Sequence, residues 1–164
     1  MDSLAGLNES QLSAAQTTEG PLLILAGAGS GKTKTLTHRI AHLIANENIW
    51  PNQILAVTFT NKAAKEMRER LGRLLDQDST RRDFMPWMGT FHGICVRLLR
   101  QDGHSIGISR NFVIYDEDDR QSLIKQSMKQ LGIVDREMKP TQISGMISNA
   151  KNQMIDPDEF EASS

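Results

Sequence analysis

Residues 22 to 33 read LLILAGAGSGKT. Leu22 to Ala26 make a short continuous apolar run entering glycines, the pattern of a strand buried on both faces at the centre of a parallel sheet. From Lys32 the apolar period changes to Leu36, Ile40, Leu43 and Ile44, at i, i+4, i+7 and i+8. That spacing predicts a helix with one stripe packed on the sheet, ended by Asn46, Asn48 and Pro51. Strand, glycine loop and helix in this order form a phosphate cradle. AGAGSGKT, Ala26 to Thr33, meets the phosphate-loop pattern with Ala at its first position. Gly27, Gly29 and Gly31 allow backbone conformations closed to other residues, so that successive amides of the loop, through Ala28 and Ser30, turn inward on an anion. Lys32 supplies a point charge for β and γ phosphates, and the Thr33 hydroxyl is placed to ligate Mg²⁺.

Outward from this loop the strand-helix alternation repeats. Ile54 to Phe59 (ILAVTF) reads as a second strand, followed by a helix with Ala64, Met67, Leu71, Leu74 and Leu75 inside and basic residues outside. Trp87 to Phe91 (WMGTF) reads as a third strand feeding a helix through Cys95, Leu98 and Leu99, and Phe112 to Tyr115 (FVIY) as a fourth strand. Such repeats imply a parallel sheet with right-handed crossovers. After Asp116 only helical periods remain, Leu123, Ile124, Met128 and Leu131 in one stripe and Ile143, Met146, Ile147 and Ala150 in another. Asp156-Pro157-Asp158-Glu159 is arranged like a helix start. The ending soon after it reads as cut.

With 164 residues, 38% hydrophobic, one compact domain or one and a piece is expected. A net charge of -1 excludes a globally basic nucleic-acid binder, so any such site must be local. Residues 61 to 100 hold nine Lys or Arg against five Asp or Glu, a belt of +4 between a nearly neutral head and an acidic tail. Lys62, Lys65, Arg68 and Arg70 read as a diffuse basic field. The longest apolar run, Leu22 to Ala26, is far below the roughly 20 residues of a membrane span, and Met1-Asp2 lacks a basic leader. The expected location is the cytoplasm, with no membrane partner. Cys95 reads as a small buried hydrophobe.

Weaker patterns leave alternatives open. In FVIYDEDD, Phe112 to Asp119, the acidic end is either a strand-end carboxylate for Mg²⁺ or the cap of the next helix, through Asp118 or Asp119. His38 and His42 share a helix face at metal-ligand spacing but lack a third ligand, and read as surface or partly packed histidines. Trp50 and Trp87, each beside a proline, read as core or hinge aromatics.

The motifs together resemble the N-terminal part of the superfamily 1 DNA helicases of the UvrD/PcrA/Rep type. LNESQ, Leu7 to Gln11, is similar to the Q motif of that family, AGAGSGKT to its motif I, TFTNKAAKEMRER, Thr58 to Arg70, to motif Ia, and GTFHGICVRLLR, Gly89 to Arg100, to motif Ib. The matches stand in family order over roughly residues 4 to 131. The resemblance implies an α/β fold, a RecA-like P-loop three-layer parallel sheet with the start of a helical 1B-like subdomain. Residues 1–115 would be a partial 1A domain and 116–164 the truncated start of 1B.

It further implies that Gln11 reads the adenine edge, that Ala26, Gly27, Ala28, Gly29, Ser30, Gly31, Lys32 and Thr33 hold ATP, and that Lys32 and Thr33 serve catalysis, Thr33 through Mg²⁺. Phe59, Asn61, Thr90 and His92 would line a track for single-stranded DNA or a single-strand/duplex junction. An aromatic at the carboxyl edge of a parallel sheet can stack on any base, although Phe59 also fits a core aromatic and His92 a satisfied structural histidine. Asp116 becomes structural, because the family's DExx element lies beyond the 1B insertion. The implied activity is an ATP-dependent 3′–5′ DNA helicase of repair or replication, with a second RecA-like domain in the same chain. The 164 residues alone are expected to be inactive, a fragment that binds nucleotide or single strands without hydrolysis. A small nucleotide kinase using Asp116 or Glu117 is the third reading.

Overall fold

A computed structural model of the chain describes residues 3–133 and 138–162. The Met1-Asp2 start and the last two residues lie outside this range. The chain divides into two compact units, Met1–Arg110 and Asn111–Ser164.

In the first unit, α1 (Glu9–Gln16) is opened by a reciprocal cap in which the Asn8 side chain accepts from Gln11 N–H and the Gln11 side chain accepts from Asn8 N–H. The loop then leads into α2 (Lys32–Ala45), which packs on α1 and on α3 (Asn61–Leu75). Two neighbours explain why α2 buries more than one stripe: Ile40 and Ala41 join Thr35, Thr37, His38 and His42 below 9% exposure. The two threonines are satisfied locally, Thr37 Oγ1 donating to the Thr33 and Lys34 carbonyls and Thr35 Oγ1 to that of Gly31. His38 Nδ1 lies 2.7 Å from the Ser3 carbonyl, which can only accept, so this nitrogen carries the proton. Both histidines are buried, contrary to the surface or partly packed reading. Among the described residues no group of three or more His, Cys, Asp or Glu could hold a metal.

The sheet is a parallel pair, β1 (Ala56–Thr58) and β2 (Met88–Thr90), with Ala56 opposite Met88 and Thr58 opposite Thr90. The helix α3 and the loop after it make the long crossover that parallel pairing requires. Both α3 and α4 (Phe91–Asp102) pack on the strands. The core is Ile40, Ala41, Ile54, Ala56, Met67, Leu71, Phe84, Met85 and Met88. Met67 and Leu71 come from the stripe the helical period predicts for α3.

Two of the four expected strands do not form. Leu22–Ala26 is in no strand, with Leu23 and Leu25 79% and 85% exposed, and Phe112–Tyr115 is likewise in no strand, with Val113 75% exposed. A parallel strand exists only through ladder bonds to neighbours and burial on both faces. The described residues supply one two-stranded ladder, and neither segment belongs to it. The three-layer sheet of the sequence reading is therefore seen here only as this partial sheet. Cys95 is exposed rather than buried. The residue of α4 that turns inward is its neighbour Ile94, at 5% exposure, lying over Gly89, where a Cβ would sit 3.6 Å from Ile94 Cδ1.

The second unit is helical: α5 (Glu117–Gln130), α6 (Pro140–Asn152) and α7 (Pro157–Ala162), with α5 packed on α6. Ile124 and Met128 are buried, while Leu123 and Leu131 of the same expected stripe are exposed. Asp116, not Asp118 or Asp119, caps α5: its carboxylate accepts from Asp119 N–H at 2.9 Å, and Asp119 accepts from Asp116 N–H at 3.2 Å. The helix start read at Asp156 is present, with Asp156 accepting from Glu159 N–H at 2.8 Å. No described helix is long and apolar enough to cross a membrane.

Candidate functional site

The phosphate loop spans Ala26 to Thr33 and ends where α2 begins. Gly29 and Gly31 adopt φ of 78° and 86°, the left-handed region that glycine enters without strain. At Gly31 there is a second constraint, since a Cβ would come within 2.7 Å of Gln11 Nε2. The Lys32 ammonium folds over the loop and donates to the Ala26 and Gly27 carbonyls, both at 2.6 Å, and the Ser30 hydroxyl donates to the Gly27 carbonyl at 2.7 Å. Lys32 and Thr33 are exposed. A phosphate would offer the same ammonium charged acceptors, which bind it more strongly than neutral carbonyls do. The positive pole of α2 adds to that preference.

Gln11 joins α1 to this loop. Its Nε2 donates to the Ser30 carbonyl at 3.0 Å while its Oε1 remains in the cap of α1. The structure thus brings Gln11 and the loop together. Lys34 and Arg39 of α2 reinforce the junction, Lys34 donating to the Gly6 carbonyl and Arg39 to those of Ala14 and Thr17.

A second cluster lies at the carboxyl ends of β1 and β2. Phe59 follows Thr58 and Phe91 follows Thr90, and the register sets the two rings side by side, with centroids 5.6 Å apart and planes inclined by 44°. Phe59 is 91% exposed and Phe91 47%, so the reading of Phe59 as a core aromatic fails. Two threonines cap the helices that start here: Thr60 Oγ1 accepts from Ala63 N–H and Thr90 Oγ1 from Gly93 N–H, each at 3.1 Å. Each hydroxyl keeps its own proton for a further acceptor. Asn61 and His92, in the first turns of α3 and α4, are exposed beside two helix N-termini. Phe91 was missed in the sequence. Its only signal was the placement of an aromatic just after each of two strands, and register alone shows that they meet.

The basic belt is more structured than a diffuse field. Arg68 donates to the Phe84 carbonyl and, at 2.9 Å, to that of Met85, with its guanidinium 5.9 Å from the Phe84 ring centroid. Burial, and then the neighbouring Arg97, hold this guanidinium below its usual range. Lys65 pairs with Glu69 at 3.9 Å and Arg70 with Glu66. Trp50 is 72% exposed, not a core residue, while Trp87 is half-buried with Arg97 5.5 Å from its ring centroid.

A glycine loop that closes on a lysine at a helix start, in one unit with an aromatic pair at the ends of parallel strands, defines a phosphate-loop α/β protein. The family model of the UvrD/REP helicase N-terminal domain matches residues 7–164, and the chain belongs to that family. It is similar to the protein named ATP-dependent DNA helicase PcrA of Leuconostoc citreum, with 53% identity over 155 residues, 94% of this chain and 20% of that one. It is 50% identical over 157 residues to the PcrA of Bacillus subtilis strain 168, covering 96% of this chain and 21% of the relative. The PcrA of Staphylococcus epidermidis strain RP62A is 49% identical over 155 residues, covering 94% and 21%. The chain spans about one fifth of the length of these relatives.

Proposed function

We propose that this chain is the ATP-binding and part of the DNA-binding portion of an ATP-dependent DNA helicase that moves 3′ to 5′ on single-stranded DNA in repair or replication, in the cytoplasm. The observation that carries the reading is the exposed Phe59–Phe91 pair at the ends of two parallel strands, within the unit that also holds the phosphate loop. Support comes from the helicase relatives at about half identity. In this reading β1 and β2 belong to a RecA-like three-layer sheet, residues 1–115 to a 1A domain and 116–164 to a 1B-like helical subdomain.

The loop amides and Lys32 hold the phosphates, and Gln11, beside Ser30, reads the base. Thr33 is the Mg²⁺ ligand this chain offers. Mg²⁺ bound with nucleotide neutralises charge on the β and γ oxygens. Phe59 and Phe91 form a shelf on which bases stack without sequence preference. Thr90, Asn61, His92 and the amino ends of α3 and α4 hold backbone phosphates, at a single strand or a strand/duplex junction. In the whole protein a second RecA-like domain of the same chain closes on ATP, and the difference in grip between nucleotide states drives stepping.

A second reading is that these 164 residues bind without turnover. Asp116, the strand-end carboxylate candidate, favours it by being engaged in capping α5. Titration with a fluorescent ATP analogue plus Mg²⁺, on the parent chain and on Lys32→Ala, tests the nucleotide site. The same samples are then assayed for phosphate release with and without single-stranded DNA. Saturable binding that weakens at least about tenfold in Lys32→Ala is expected, the weight of one charge-assisted contact. Equal binding by both chains would overturn the cradle. Release abolished by Asp116→Asn would overturn the structural role of Asp116.

A further inference from the structure

The helix that bears Gln11 is held at both ends by polar ties. It is eight residues long, buries only Ala15, and has no basic residue in its last turn. So short a helix, packed on α2 through one fully buried side chain, depends on polar ties as well as burial for its placement. At its amino end the Gln11 amide reaches the Ser30 carbonyl of the phosphate loop. At its carboxyl end the half-buried Arg39 guanidinium donates to the Ala14 carbonyl at 2.8 Å and to the Thr17 carbonyl. These are among the carbonyls a helix leaves without partners, at the pole where a cation is favoured. Arg39 stands seven residues after Lys32, two turns along the same face of α2. One helix therefore carries both the phosphate-binding ammonium and the guanidinium that fixes the far end of α1.

We infer that Arg39 is a positioning residue for base selection: by clamping the carboxyl end of α1 on α2 it holds Gln11 at the phosphate loop, and so determines how strongly the chain prefers an adenine nucleotide over other triphosphates. The inference rests on the reading of Gln11 as the base-reading residue. Arg39 donates to the backbone at the far end of α1, so on this inference its loss lowers discrimination between bases and leaves phosphate binding in place.

The test measures affinities for ATP, ITP and inorganic tripolyphosphate, each with Mg²⁺, by calorimetry on the chain. The variants are Gln11→Ala, Arg39→Ala, Arg39→Lys and the double alanine variant, with helicity checked by circular dichroism. ITP keeps the triphosphate and sugar but reverses the donor pattern at the purine edge. Arg39→Ala is expected to lower the ATP-to-ITP preference about fivefold, the weight of one hydrogen bond. Its tripolyphosphate affinity stays within about twofold of the parent, Arg39→Lys restores part of the preference, and the double variant loses no more than Gln11→Ala alone. Equal loss of ATP and tripolyphosphate binding in both Arg39 variants would overturn the inference by giving Arg39 a general structural role. If Gln11→Ala lowers the preference and Arg39→Ala does not, the inference falls and the base-reading role stands. If Gln11→Ala leaves the preference unchanged, both fall.

Discussion

The rings of Phe59 and Phe91 lie 5.6 Å apart because β1 and β2 are parallel and in register at Thr58 and Thr90. Neighbouring strands are spaced about 4.8 Å, so the residue after each strand end must meet its counterpart. Phe59, 91% exposed, contributes little to folding, which frees its ring for a ligand. Replacing either by Ala should weaken binding of a thymidine oligonucleotide by about 1–3 kcal/mol. Fluorescence anisotropy reads the affinity, and the urea midpoint of the Phe59 variant should hardly move. Unchanged affinity in both variants would remove the shelf from the DNA-binding reading.

Thr90 has a structural duty separable from any contact with DNA. Its Oγ1 accepts from Gly93 N–H at 3.1 Å and caps α4. Thr90→Ala should cost about 1 kcal/mol in urea unfolding, and Thr90→Ser should recover most of it. A Ser variant as unstable as the Ala variant would show that the methyl group, not the cap, is what matters.

Leu71 is fully buried and belongs to the core that includes Met67, Phe84 and Met85. Leu71→Ala should destabilise the first unit by about 2–5 kcal/mol, from lost transfer energy plus the cavity left behind. Leu98→Ala on the exposed side of α4 should change stability by less than about 0.5 kcal/mol. Denaturant titrations of the two variants compare them directly.

In the second unit, the Gln121 amide and then the Arg120 guanidinium hold the Glu117 carboxyl below its usual range. A carboxyl that binds its proton less readily in the folded than in the unfolded chain stabilises fully above the ordinary value of about 4.3. That contribution is lost as pH falls through the depressed value. Glu117→Gln should therefore melt below the parent at neutral pH and together with it near roughly pH 2, as followed by helical ellipticity. A gap that persists in acid would assign the stabilisation to something other than the ionised carboxyl.

Much of this architecture is written in short-range pattern. A helix closes its hydrogen bonds within four residues, so the apolar period locates α2, α3, α4, α5 and α6, while the cap of α5 falls at Asp116 and not at the residues read for it. The phosphate loop is legible for the same reason, being contiguous and dependent on glycine conformations that one stretch of chain supplies. The helix α1 escaped because it buries a single alanine, and its one signal was the capping pair Asn8 and Gln11. The inward face of α4 was read one residue out of phase, at Cys95 instead of Ile94, since which side faces a sheet depends on the sheet. Leu22–Ala26 and Phe112–Tyr115 have the composition of buried strands and form none, because a strand takes both its ladder and its burial from distant segments. The meeting of Phe59 with Phe91, and the reach of Arg39 to the end of α1, likewise depend on register and packing between segments far apart in the chain, where no local periodicity carries a trace of them.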